Sequence, residues 1–301
     1  MRIKRNLFAG LFLILGLNIA SAQVKLSFNP EKGKKYEYQT EVIQNIKQNL
    51  MGQEIPMEMT TSMTCLMEIK DKTPQEIQVQ LTYQDLAYVV SSPMMKMEYD
   101  SKNPVENPTE IDKVLERAFS NFMGKSFLVV IAPDGSVKSV TTVETVAESA
   151  ANTSAANWQV DAQIAAQINQ QFSGDAMKNM FEQSFKMYPA NAVTAGDSWN
   201  IEGTTTINNM NTSLKTKYTL KEVSRNMATI SVESDVEMES GAGLEGKLAG
   251  IQTGMMTIDT ETGLPVTGDI SSNFAGILKT QGMDVQMEIT TKAKTSTKEV
   301  N

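Results

Sequence analysis

The stretch "PMEMTTSMTCLMEIK", Pro56 to Lys70, decides the fold. Met57, Met59, Thr61, Met63, Cys65, Met67 and Ile69 share one parity, while Glu58, Thr60, Ser62, Thr64, Glu68 and Lys70 share the other, with Leu66 the lone apolar intruder. Side chains of a strand alternate between its two faces, so this period of two predicts a long β-strand with one apolar face and one wet face. Five sulfur-bearing side chains on one face raise three readings: a soft-metal site, a greasy pocket, or plain core packing.

The same pattern extends outward. Before it, Tyr36, Tyr38, Thr40, Val42, Ile46 and Leu50 alternate with Glu37, Gln39, Glu41, Asn45, Lys47 and Asn49. After it, "DKTPQ" turns the chain into Ile77, Val79, Leu81 and Tyr83, and near Asp85 the parity slips to Leu86, Tyr88 and Val90, which predicts a bulge. A short fourth strand, "MMKMEY", follows. Alternation punctuated by Pro, Gly and Asp is the signature of an antiparallel meander. Thirteen alternating residues span about 43 Å, far more than an ordinary strand, and a sheet of such strands twists and curls. Its apolar concave side needs filling.

Helical segments are the candidates for that filling. In "NPTEIDKVLERAFSNFMG", Asn107 is read as the cap, Pro108 as the first turn and Glu110 as part of a capping box. Ile111, Val114, Leu115, Ala118, Phe119 and Phe122 then form one stripe, and Gly124 ends it. "DAQIAAQINQQF" and "DAMKNMFEQSFKMY" are two further helices, the latter stopped by Pro189. A hairpin, "FLVVIAPDGSVKSV", and a small, polar linker, "AESAANTSAAN", lie between. The remainder is strand-rich again: "WNIEGTTTIN", "TKYTLKEVS", "MATISVESDVEME", "GMMTIDTETGLPVTGDI" and "MDVQMEITTKAK", with "TSTKEVN" read as a frayed tail. The fold class expected is therefore α+β: a long, curved antiparallel sheet, a half-barrel, embracing a few helices.

Residues 1–22 read as a signal peptide: basic Arg2, Lys4 and Arg5, an apolar Leu7 to Ile19, and a small-residue cleavage site at Ala20, Ser21 and Ala22. No cysteine follows for acylation. Residues 23–301 are read as one β-rich domain. "KGKKYEYQTEV" is similar to "AGDSWNIEGTT", and each half holds a hairpin with a turn glycine, Gly135 and Gly263. Two repeats, about 23–150 and 151–301, would account for this. Of 27 basic and 35 acidic residues, cleavage removes three basic ones, so the mature chain carries −11. Such a chain repels nucleic acid and anionic headgroups. No second apolar run is long enough to span a membrane. The expected destination is the periplasm or the exterior.

With no histidine, the commonest general base and the usual zinc ligand are gone. Cys65 stands in an apolar row with no visible base and reads as a buried small hydrophobe. "GAGLEG", Gly241 to Gly246, lacks a following helix and reads as a loop rather than a dinucleotide site. Glu233, Asp235, Glu237 and Glu239 form a wet face, since carboxylates two apart on a strand lie about 7 Å apart, too far for one calcium ion. Successive sulfurs of the methionine row are likewise too spread for copper. Neither a metal, a cofactor nor an enzymatic activity is expected. Methionine recurs at Met94, Met95, Met97, Met177, Met180, Met255, Met256, Met283 and Met287, which fits a shared apolar interior.

"YPANAVTAGDSWNI", Tyr188 to Ile201, carries the pattern P-x-x-x-V-x-x-G-D-S-W and resembles a family of exported, uncharacterised bacterial proteins. "IDTETGLPV", Ile258 to Val266, is similar to a hairpin in the LolA and LppX-like carriers of lipoproteins and lipids. That resemblance implies a bent sheet around helices with acyl chains held between. The function expected is binding of a hydrophobic small molecule, a lipid or a lipoprotein acyl chain. Met57, Met59, Met63, Met67, Phe119, Phe122, Phe181 and Phe185 would line the site. The alternative is a structural or interaction module with a filled core that meets another envelope protein.

Overall fold

The computed structural model describes residues 23–50, 52–120, 122–142, 174–207, 210–241, 244–280 and 282–301. The expected signal peptide, the linker and the helix "DAQIAAQINQQF" lie outside the described residues. Strands β1 (Lys35–Leu50), β2 (Gln53–Lys72), β3 (Ile77–Ser91) and β4 (Lys96–Asp100) come first. Helix α1 (Glu110–Ser120), the hairpin β5 (Ser126–Ile131) and β6 (Val137–Thr142), and helix α2 (Gly174–Phe185) follow. The chain ends in β7 (Ser198–Ile207), β8 (Met210–Ser224), β9 (Met227–Gly241), β10 (Leu244–Asp259), β11 (Pro265–Thr280) and β12 (Met283–Val300).

All twelve strands belong to one sheet, in the order β6-β5-β3-β2-β1-β12-β11-β10-β9-β8-β7, with β4 paired to β3, and every pairing is antiparallel. The sheet is open: β6 and β7 are its two edges. The methionine row sits where the alternation placed it, on 20-residue β2, about 66 Å long. The expected bulge is present, because Asp85 pairs with Thr64 and Tyr83 with Cys65, leaving Gln84 extra.

The sheet is strongly bent. Six strands separate β3 from β8, which in a flat sheet would set them roughly 34 Å apart. Yet Ile77 and Val79 of β3 share one buried cluster with Leu220 of β8 and Ile230 of β9. A segment ahead of β1 plugs this closed end. Leu26 and Phe28 are buried, and Phe28 meets Phe185 edge to face at 5.1 Å. The backbone N–H of Phe28 donates to Pro133 O at 2.9 Å, and that of Asn29 to Thr262 O at 2.8 Å. Val24 and Val193 exchange backbone bonds of 2.8 and 2.9 Å. The plug is thus stitched to both turn hairpins.

Helix α2 lies at the seam between the two sheet edges, mainly against β6, with Phe181 and Phe185 turned to the core. Helix α1 packs on β3 and β4, its Leu115, Ala118 and Phe119 against Leu86 and Tyr99. It starts later than expected. Thr109, not Asn107, is the cap, and the box is closed by Asp112 rather than Glu110: Thr109 Oγ1 accepts from the Asp112 N–H at 3.3 Å, and the Asp112 carboxylate accepts from the Thr109 N–H at 2.7 Å.

Two further expectations are corrected. The tail "TSTKEVN" is not frayed, because β12 runs to Val300 and pairs with Lys35 of β1. Met94, Met95 and Met255 do not belong to the interior; they are exposed, Met94 at a turn ahead of β4 and Met255 on the outer face of β10. Among the described residues, no helix is long and apolar enough to cross a membrane.

Candidate functional site

Between the bent sheet and the helices lies a cavity of about 970 Å³. Its walls come from the inward parity of nine strands, from α2 and from Phe119 of α1. On one side stand Tyr38, Met63, Cys65, Met67, Leu81, Tyr83 and Tyr88 of β1 to β3. On the other stand Gly203, Thr205, Thr216, Tyr218, Ser234, Gln252, Gly268, Thr295 and Thr297 of β7 to β12. Phe181, Phe185 and Met187 roof the closed end, while Glu182, Lys186 and Glu202 are the only charged residues at its boundary among those described.

The structure brings five of the expected residues to this cavity: Met63, Met67, Phe119, Phe181 and Phe185. Met57, Met59 and Phe122 do not line it. Met57 is farther along β2, opposite Ile46 and half-buried. Met59 is drawn to Tyr88, whose hydroxyl donates to its Sδ at 3.3 Å. Phe122 is spent on packing α1 against β3 and β4. The reason is geometric: a 20-residue strand carries its inward face well past the space the helices enclose.

The tyrosines Tyr38, Tyr83 and Tyr218 and the hydroxyl wall of β8 to β12 went unread in the sequence. Thr and Ser on an alternating strand look like a solvated face, and only curvature turns them inward. Within the cavity the Tyr83 hydroxyl donates to Met177 Sδ at 3.5 Å, and Thr216 and Ser234 share a hydroxyl bond of 2.9 Å. Thr205 Oγ1 is buried with no hydrogen-bond partner among the described residues.

Burial keeps the thiol and the buried phenols here neutral. It pushes the Cys65 thiol up to about 12, and Tyr38 and Tyr218 also to about 12. Tyr83 is raised further by the same cause. A thiol held this firmly protonated is a poor nucleophile and a poor metal ligand. Lys186 is paired with Glu182 at 3.5 Å. Among the described residues no group of three or more Cys, Asp or Glu side chains is arranged to hold a metal ion.

The segment from Tyr188 to Ile201 frames the cavity's end. The Thr194 N–H and hydroxyl both donate to Asp197 Oδ2, at 2.8 and 2.9 Å, which lowers that carboxyl's pKa and fixes the turn at Gly196. Trp199 stacks on Tyr218 at 5.6 Å and donates its Nε1–H to Met187 O at 2.8 Å. A second hollow of about 780 Å³ is wider open and lined mostly by polar and charged residues, with Lys102 paired to Asp85 at 2.9 Å on its rim.

No curated protein matches the chain in sequence. Among solved structures, lipovitellin, described for its lipid–protein interactions, aligns at 11% identity with a TM-score of 0.47, over 89% of this chain and 25% of that one. The chain thus spans about a quarter of the lipovitellin chain it matches. An outer membrane channel from Pseudomonas putida F1 aligns at 7% identity and TM-score 0.24, over 90% of this chain and 98% of that one. A DUF1329 family protein from Desulfovibrio piger aligns at 11% identity and TM-score 0.16, covering 87% of this chain and 83% of that one. Scores this low carry nothing about function. The family match is more decisive: residues 74–265, from the turn before β3 to the first residue of β11, match the family of unknown function DUF6263, and the chain belongs to that family.

Proposed function

We propose that this protein binds an apolar or amphiphilic molecule, such as a lipid or the acyl chain of a lipoprotein, inside the bent sheet. One observation carries the reading. A space of about 970 Å³, at the upper end of ordinary ligand sites, is walled largely by apolar side chains and is not sealed from outside. A folded interior without an occupant tends to close to crystal-like density, because an empty cavity forfeits contacts. Adaptable Met63 and Met67 suit an apolar guest of variable shape. The role is that of a binding protein rather than an enzyme.

The same proposal places the protein outside the cytoplasm, with cleavage after Ala22, and treats residues 23–301 as one domain of two repeats. Native mass spectrometry of the protein purified from cell envelope, followed by solvent extraction, tests the binding role. The expected result is a co-purifying apolar molecule released by organic solvent. Repeated empty preparations would favour the rival reading, an interaction module that meets another envelope protein.

A further inference from the structure

The cavity mixes apolar side chains with neutral polar ones, and the mixture narrows what it accepts. On β1 to β3, Tyr38, Met63, Cys65 and Tyr83 present apolar, polarizable surface, with Thr40 and Thr61 beside them. On β8 to β12, Thr216, Ser234, Gln252, Thr295 and Thr297 present hydroxyl and amide groups among apolar Leu214, Val232, Met256 and Ile270, with Thr297 beside Tyr38 in the β1–β12 ladder. Each hydroxyl offers one donor and two acceptor sites, so the 2.9 Å bond between Thr216 and Ser234 leaves capacity unused. Thr205 Oγ1, on neighbouring β7, is buried and unpaired among the described residues. Buried polar groups are nearly always satisfied, so such a group calls for a partner that enters the cavity.

Among the described residues, no free cation lines the cavity. Lys186 is the single cationic residue at the boundary among those described, and Glu182 occupies it, with Glu202 adding a second negative charge. An anion drawn into the chamber would lose its hydration and meet no countercharge. A full chain of charge −8 adds long-range repulsion. Neutral hydroxyl and amide groups lose far less on entering, and find partners on the β8 to β12 wall.

Resting on the proposed binding role, we propose that the cavity selects an uncharged amphiphile, with an apolar body against the β1–β3 wall and hydroxyl or carbonyl groups against the β8–β12 wall, and rejects fatty-acid anions. Monoacylglycerols and long-chain alcohols are the chemical class.

Displacement of Nile red from the purified protein at pH 8 tests this, with monopalmitoylglycerol, palmitate and hexadecane as competitors. Monopalmitoylglycerol is expected to compete at least about tenfold better than palmitate, and better than hexadecane. In the double variant Thr216→Val, Ser234→Ala, with each competitor's affinity referred to the variant's own Nile red affinity, its advantage over hexadecane is expected to shrink about tenfold. Palmitate competing as well as the glyceride, or an unchanged advantage in the double variant, overturns the selection while leaving the apolar cavity standing. Failure of Nile red and all three competitors to bind defeats the binding role itself and the selection with it.

Discussion

The β1–β2–β3 unit and the β7–β8–β9 unit match at the closed end and part company in the cavity. Gly33 donates its N–H to Ile69 O at 2.8 Å, and the Ile69 N–H returns to Lys34 O at 2.9 Å. In the second unit Gly196 donates to Leu220 O at 2.8 Å, and Leu220 returns to Asp197 O at 2.9 Å. One residue later in each, Lys70 and Lys221 are skipped by the ladder, between Ile69↔Val79 and Asp71↔Gln78, and between Leu220↔Ile230 and Glu222↔Thr229. Four residues back along β2 and β8, the likeness fails. Cys65 faces Tyr83 in the first unit, where Thr216 faces Ser234 in the second. The closed end is constrained by register and by a filled core, which tolerate little change. The cavity walls are less tightly constrained by packing, and under the proposed binding role their divergence would answer to the ligand.

The closed end should also give the largest mutational effect. Gly135, in the β5–β6 turn, has φ +84°, and a Cβ there would overlap the carbonyl oxygen of Phe185. Gly263, in the β10–β11 turn, has φ +73°, and its Cβ would overlap the carbonyl oxygen of Ser27. Each turn is thus crossed by the segment that leads into the other half's strands. Gly135→Ala and Gly263→Ala add a backbone clash to left-handed strain, and each should cost about 3 kcal/mol or more in urea unfolding. Gly33→Ala and Gly196→Ala share the positive φ but open onto free space, so about 1–2 kcal/mol is expected. Equal costs for Gly135 and Gly33 would break the comparison, because the crossing would then contribute nothing.

The second effect separates the walls by pH. Burial raises Cys65 from 9.0 to about 12, and Tyr38 and Tyr218 from 10.0 to about 12. Above its ordinary pKa each group is deprotonated in the unfolded chain but still protonated in the fold, so stability is complete below pH 9 and falls as pH rises toward 12. The slope is about 1.4 kcal/mol per pH unit for each group. Between pH 9 and 10 the first wall's thiol carries this loss, before the tyrosines join. Cys65→Ala should flatten the curve there, and Tyr218→Phe should flatten it only above pH 10. Urea midpoints at pH 8, 9.5 and 10.5 distinguish the two.

The alternation of Tyr36 to Lys70 contained most of the architecture, because a two-residue period over so many positions admits no other regular structure. The slip at Asp85 and the stripe of α1 were equally readable, since both rest on local spacing. What escaped reading depends on long-range partners. In β10 and β11, Gly250, Gly254, Gly268 and Gly276 stand at inward positions where an apolar residue would have marked the strand. The last residues of β12 hold few apolar side chains, yet β1 supplies them a full ladder. The hydroxyl wall was invisible for a third reason: its residues suit a wet face, and only the bend of the sheet encloses them. Of the eight residues expected at the site, Met63, Met67, Phe119, Phe181 and Phe185 stand at the cavity, and Phe122 packs helix α1 instead. Met57 and Met59 were expected on parity alone, which fixes a face but not a distance along it.

The smallest effect concerns what the first half has and the described part of the second lacks, helix α1 laid over its strands. Asp112 anchors it. Burial works against its charge, but hydrogen bonds from the Thr109 side chain, the Glu98 N–H at 2.8 Å and the Thr109 N–H at 2.7 Å outweigh that, and the net pKa is lowered. A depressed carboxyl contributes stability above its ordinary pKa of 3.8 and loses it as pH falls below that value. Thr109→Ala removes the cap and one of these donors, and should cost about 1 kcal/mol at pH 7, with the gap to the parent narrowing below pH 3.8. Phe119 stands on this helix and touches Tyr88 and Tyr99 at 5.5 and 5.1 Å, apart from the plugged end. Loosening α1 should therefore weaken Nile red binding more than it shifts the urea midpoint. If both change in proportion, α1 belongs to the same cooperative unit as the plug, and the first half's extra helix is scaffold rather than cavity wall.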